Sequence, residues 1–134
     1  MFLNSWKRFN TGMSANSGRE IPPSLQQKLA RLQQLQQTLN VLITERQRVE
    51  TELIEVKNAL EELQKAPDDA RVYKAVGPVL VQSDKKKLVE ELMERRELTE
   101  TRLKLLEKQE QRTRTQLEEL QKEMQAALSG MNPS

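Results

Sequence analysis

Val72-Tyr73-Lys74-Ala75-Val76-Gly77-Pro78-Val79-Leu80-Val81 is the stretch whose reading decides the fold. Two short β-branched runs, Val72–Val76 and Val79–Gln82, flank Gly77-Pro78. Such runs read as strands, and glycine supplies the unusual backbone angle of a tight turn. Pro78 has no N–H to give a ladder, so it belongs in the turn or at the first position of a strand. The segment predicts one β-hairpin, and it carries the only strand signal in the chain.

Working upstream, Ala66-Pro67-Asp68-Asp69 closes a helix, because proline cannot extend it and disfavours helical backbone at the residue before it. That helix opens at Ile21-Pro22-Pro23-Ser24, where Ser24 is the expected N-cap. Between these ends, apolar residues alternate at spacings of three and four. One set of seam positions is Leu25, Leu32, Leu39, Arg46, Leu53 and Leu60; the other is Lys28, Leu35, Leu42, Val49, Val56 and Leu63. Ten of these twelve are apolar, with no interruption. A repeat averaging 3.5 residues keeps one seam facing a partner, which is the pattern of a coiled coil. Arg46 and Lys28 are polar members expected to set register and pairing.

Working downstream, Ser83-Asp84 offers a second N-cap, and a helix is expected to run to about Leu128. Its seam takes Val89, Leu92, Arg96, Thr99, Leu103, Leu106, Glu110, Thr113, Leu117, Leu120, Met124 and Ala127. The four polar members fall in two pairs, Arg96/Thr99 and Glu110/Thr113, so this seam is weaker at mid-length. Ser129-Gly130 reads as a helix stop. The organisation is therefore a flexible tail over 1–20, a first coiled-coil helix over 21–66, and a hairpin segment over 67–83. A second helix over 84–128 and a short tail over 129–134 complete it.

Composition agrees. Charged residues make up 31% of the 134 and aromatics 3%, a mixture suited to long helices rather than to a compact core. Tyr73 is the single aromatic ring outside the first ten residues. No cysteine or histidine is present, which excludes disulfides, thiolate nucleophiles and imidazole metal sites. The net charge is +2, and Lys7, Arg8 and Arg19 all precede the first carboxylate, Glu20; the remainder is close to neutral, with both signs interleaved. A nucleic-acid binder gathers its basic residues on one face, and a stacking platform wants several aromatics, so nucleic acid is not an expected partner. No apolar run approaches the roughly 20 residues that cross a bilayer, so neither is a membrane. Glu61-Glu62, Glu90-Glu91 and Glu118-Glu119 are paired carboxylates on solvated helix faces, whereas catalysis by such groups requires a pocket, which a two-helix rod does not offer. No catalytic residue, metal site or cofactor is expected.

Two helices of near-equal length, each about 65 Å at 1.5 Å per residue, predict a helical hairpin in which the second helix returns along the first. In that register Leu63 lies near Leu88, and Leu25 near Met124. The fold class is all-α dominated, with a long antiparallel coiled coil and one β-hairpin between the helices. An isolated two-stranded hairpin is marginal in water and exposes both edges. Val72, Tyr73, Val76, Gly77, Pro78, Val79, Leu80 and Val81 are therefore the expected oligomerisation residues, pairing with strands of other chains. At the far end Leu25, Leu29, Leu32, Leu35, Leu117, Leu120, Met124 and Leu128 cluster within about three helical turns of the free tips. Leu29 and Leu128 fall outside the seam, and exposed apolar groups with an adaptable methionine suit varied partners.

The order helix, β-hairpin, helix resembles the prefoldin family, in particular its β class. Leu32-Gln33-Gln34-Leu35-Gln36-Gln37, Ala59-Leu60-Glu61-Glu62-Leu63, the hairpin Val72–Val81, and Leu106-Glu107-Lys108-Gln109-Glu110 carry the likeness, which covers 21–128. The hairpin is the most specific of the four; a single one points to the β class, since the α class carries two. The tail ahead of Ile21-Pro22-Pro23 departs from the family's usual start. The resemblance implies a cytoplasmic chaperone: a hexamer of two α and four β subunits whose hairpins close an intersubunit β-barrel. Its tips, the eight residues named above, would hold unfolded client proteins without ATP and deliver them to a group II chaperonin. The alternative is a structural coiled-coil scaffold or tether that binds a specific helical partner.

Overall fold

The computed structural model describes residues 21–131 of the chain, so the expectations for residues 1–20 and 132–134 lie outside the described residues. Four elements follow one another: α1 (Pro23–Lys65), β1 (Val72–Val76), β2 (Val79–Ser83) and α2 (Lys85–Met131). The helices are 43 and 47 residues long, and they flank a single antiparallel hairpin among the described residues.

The helix ends follow from local chemistry, with two departures from expectation. Ser24 is not the cap of α1. The Pro22 carbonyl accepts from Leu25 N at 2.9 Å and Gln26 N at 3.0 Å, so Pro23 is the first helical residue. Proline suits that position, because the first helical N–H has no partner to lose. The side-chain amide of Gln26 also donates back to the Ile21 carbonyl at 2.9 Å. At the start of α2, Asp84 caps as expected: its Oδ1 accepts from Lys87 N at 2.7 Å. The second departure is that α2 runs through Ser129-Gly130 to Met131. A glycine stops a helix by taking left-handed backbone, and only Gly77 does so among the described residues.

Gly77 has φ +57°, between Val76 and Val79, which pair across the turn. Pro78 follows with its φ held negative by its ring. A positive φ confined to the first central residue matches a type II′ turn, whose twist suits a two-residue hairpin. The register runs Val72↔Ser83, Tyr73↔Gln82, Lys74↔Val81, Ala75↔Leu80 and Val76↔Val79. Residues opposite one another share a face, so Lys74 and Val81 lie on one side and Ala75 and Leu80 on the other.

The chain packs as two compact units. One comprises residues 42–110 and holds the last part of α1, the hairpin and the first part of α2. Here Val49, Leu53, Val56 and Leu60 of α1, and Thr99 and Leu106 of α2, are buried. Cross-helix ion pairs give the direction of packing. Glu45 pairs with Arg102 and Glu52 with Arg95, so seven residues forward in α1 match seven backward in α2. The helices are antiparallel in this unit. α2 is unbroken through both polar seam pairs.

The other unit draws on the segments up to residue 41 and from 111 onward. Its interior is Leu25, Leu32, Leu35 and Leu39 from α1 with Thr113, Leu117 and Met124 from α2. Lys28, the polar member of this part of the seam, is half-buried and pairs with Glu123 at 3.7 Å. In both units the residues assigned to the seam are buried or half-buried. The large apolar side chains most open to solvent on the helices, Val41, Ile54, Leu98 and Leu105, all lie off it.

Candidate assembly and binding surfaces

The hairpin presents an apolar surface with nothing over it. Tyr73 is 54% exposed and Leu80 72%, and Val76, Val79 and Val81 are each open to about half their area or more. Residues on both faces are exposed, so neither face packs on a helix of this chain. Burying a large apolar side chain is worth about 1.5–3 kcal/mol. Covering these five half-open side chains would therefore contribute on the order of 5 kcal/mol per subunit. The outer N–H and C=O groups of both strands are also free to accept further strands. Val72 is half-buried and Gly77-Pro78 forms the turn.

What anchors the hairpin is polar. The Lys85 ammonium, on the first residue of α2, donates to the Ala66 carbonyl at 2.7 Å, the Gln64 carbonyl at 3.3 Å and Asp68 Oδ1 at 3.2 Å. A cation at a helix N-terminus is unfavourable, but this one is turned onto the last carbonyls of α1, where positive charge is favoured. Lys74 of β1 reaches Glu91 of α2 at 2.9 Å. A cleft of about 570 Å³ lies beside the first clip, lined by Gln64, Asp68, Lys85, Lys86, Val89 and Glu90.

In the other unit, the eight leucine and methionine positions singled out from the sequence divide in two. Leu25, Leu32, Leu35, Leu117 and Met124 are buried, with Leu32 and Met124 at 0% exposure. Leu29, Leu120 and Leu128 are half-buried. Leu29 follows the seam residue Lys28 and Leu128 follows Ala127, so each occupies the flank of its helix rather than the seam. Leu120 is a seam residue that stays partly open.

At the middle of the seam, the Arg46 guanidinium donates to Glu110 of α2, and to Glu50 of its own helix at 2.6 Å. The Glu110 hydrogen bond, then that of Glu50, raise the Arg46 pKa further above its already high value. Arg48 lowers the pKa of Glu45, chiefly through its hydrogen bond and then through its charge, with Arg102 adding to the effect. Glu45 in turn raises that of Arg48. Sequence reasoning marked Arg46 as a register residue but did not name its partner, and it did not identify the oxygen partners of Lys85. The available signal was that Arg46 and Glu110 are both polar intruders in otherwise apolar seams. Among the described residues no cluster of three or more carboxylates is arranged to hold a metal ion, and no helix is long and apolar enough to cross a membrane.

Two long helices that bury seam residues in each unit, with a β-hairpin between them open on both faces, define a coiled-coil subunit. Comparison with known proteins makes the class specific. The model of the prefoldin subunit family matches residues 26–130, and the chain belongs to that family. It is 46% identical over 110 residues to the prefoldin subunit beta of Archaeoglobus fulgidus, covering 82% of this chain and 95% of the relative. It is 44% identical over 110 residues to that of Pyrococcus abyssi, covering 82% and 94%. The crystal structure of the prefoldin beta subunit from Thermococcus strain KS-1 superposes with a TM-score of 0.75 at 42% identity, covering 87% of this chain and all of that one. The β-class resemblance read from the hairpin is thus upheld, and the role that goes with the family is that of a chaperone subunit assembling with other prefoldin subunits.

Proposed function

We propose that this chain is the β-class subunit of an ATP-independent holdase, a cytoplasmic hexamer of two α and four β subunits. Its hairpin joins those of its neighbours in an intersubunit β-barrel. Unfolded client chains are gripped at the free ends of the coiled coils and passed to a group II chaperonin. The observation that carries this reading is the hairpin: its apolar side chains are open on both faces while the helical seam beside it is closed. A tether that only paired helices would have no use for such a surface.

Client contact falls first to Leu29, Leu120 and Leu128, the half-buried members of the apolar set. Leu25, Leu32, Leu35, Leu117 and Met124 reach a client when the seam parts near its end. Several weak contacts on one hexamer then add through avidity. The test is suppression of light scattering as an unfolded model protein is diluted from denaturant, with an α-class prefoldin present and ATP absent. Near-equimolar suppression by a hexamer is the expected result. Replacing Leu29, Leu120 and Leu128 by Ser should weaken it severalfold with the hexamer mass unchanged. A well-formed oligomer that does not slow aggregation would overturn the holdase reading in favour of a scaffold.

A further inference from the structure

Little apolar packing holds the hairpin, since Val72 is half-buried and its other apolar side chains are exposed, yet an assembly surface must be aimed before several copies can close a sheet. We infer that Lys85 is the residue that aims it: its ammonium clips the exit of α1 to the start of α2 at the root of the hairpin. The inference deepens the assembly reading and rests on it for its consequence, though not for its geometry.

Three observations carry it. First, the Lys85 side chain is only 17% exposed, and its ammonium has three oxygen partners, two of them carbonyls at the end of α1. Second, both ends of the hairpin pass through this point. Ala66 and Asp68 lie just before β1, and Lys85 follows β2 by two residues, so one cation ties the incoming chain to the outgoing one. Third, the other cross-link, Lys74 to Glu91, joins side chains that are 50% and 37% exposed, and an exposed ion pair contributes little. Hydrogen bonds from a charged donor are the stronger kind, and the Lys85 bond to the Ala66 carbonyl is the part-buried one of the three. The partners beyond Ala66 are bonded locally, as in Ala70 N to the Pro67 carbonyl at 3.0 Å, so this short connection is itself a defined turn that the clip can hold. Lys86 and Lys87, exposed and without these partners, do not share the role.

The test uses the full chain. It contains no cysteine, so spin labels can be placed at Leu80→Cys and Glu62→Cys, and the distance between them measured by pulsed electron resonance. The unsubstituted background should give a narrow distribution. Lys85→Met, which keeps the aliphatic stem and removes the charge, should broaden it at least twofold, and Lys85→Arg should restore much of the narrowness. Lys86→Met should leave it unchanged. Circular dichroism should report equal helix content in all four. An equally narrow distribution in Lys85→Met would overturn the inference, whatever the protein assembles with. In label-free chains mixed with an α-class prefoldin, Lys85→Met should raise the subunit concentration at half-assembly about tenfold, as expected for one charged hydrogen-bonded group. Should the parent chain show the narrow distribution, lost in Lys85→Met, and still fail to assemble, the clip stands and the assembly reading falls.

Discussion

At the scale of single residues, burial separates positions that the sequence groups together. Leu32 and Leu29 are both leucines near the start of α1, but Leu32 is fully buried and Leu29 half-buried. Leu32→Ala should cost about 2–5 kcal/mol, because the neighbours cannot fully collapse onto the space left. Leu29→Ala should cost less than about 1.5 kcal/mol, since part of that side chain already meets water. Urea denaturation of the two variants reads the difference directly, and equal costs would show that Leu29 is as much a seam residue as Leu32. Glu45 carries a pH dependence. Its carboxyl is held below the ordinary carboxylate pKa by Arg48 and Arg102, so its contribution is present above that range and lost as pH falls through the lowered value. Stability followed from neutral to acid pH should therefore fall less steeply in Glu45→Gln than in the parent. Profiles that run parallel would mean that the pairs are too screened to matter.

At the scale of elements, the hairpin and the helix pair are specified by different means. The turn depends on one backbone angle. Gly77 has φ +57° and an added Cβ would meet no atom, so Gly77→Ala tests conformation free of crowding. Left-handed backbone costs a side-chain-bearing residue roughly 1–2 kcal/mol. That penalty should appear as faster amide exchange across Val72–Ser83, with the helix amides unaffected. The helix pair depends on matching seams. Glu110→Leu alone leaves the Arg46 guanidinium without its cross-helix partner in a narrow seam and should lower the denaturation midpoint. The double variant Arg46→Leu/Glu110→Leu should recover that loss or exceed it, since an apolar pair can replace a partly buried ion pair. The recovered protein is expected to be less faithful in register, which cross-linking between flanking positions of α1 and α2 would detect.

At the scale of the whole molecule, the helices cover their seam residues within the chain while the sheet is left uncovered. In each unit the seam residues are buried or half-buried, whereas the hairpin is open on both faces and along both outer edges. Assembly should accordingly be driven by the hairpin. Leu80→Ser with Val79→Ser should leave the circular dichroism spectrum unchanged and raise the concentration for half-assembly by at least about a hundredfold, taking each buried apolar side chain at about 1.5 kcal/mol. Retention of wild-type assembly in that variant would move the interface onto the helices, where Met93, Leu98 and Leu105 are the exposed large apolar residues of α2.

The sequence by itself determined the elements and the seams. Heptad spacing, the proline stops, the Asp84 cap and the Gly77 turn are local signals, each acting over a few residues, and they point to two long helices with one hairpin between them. Local signals misjudged Ser24 and Gly130, because a proline can open a helix as well as a capping serine does, and because one glycine in a long helix costs too little to end it. Only the tertiary structure decided which partners meet across the chain. A heptad pattern is unchanged by sliding one helix seven residues along the other, so it cannot by itself bring Arg46 to Glu110 or open Leu120 while closing Met124. The target of Lys85 was hidden for a related reason. Its partners are chiefly backbone carbonyls, which every residue carries and which no sequence pattern marks.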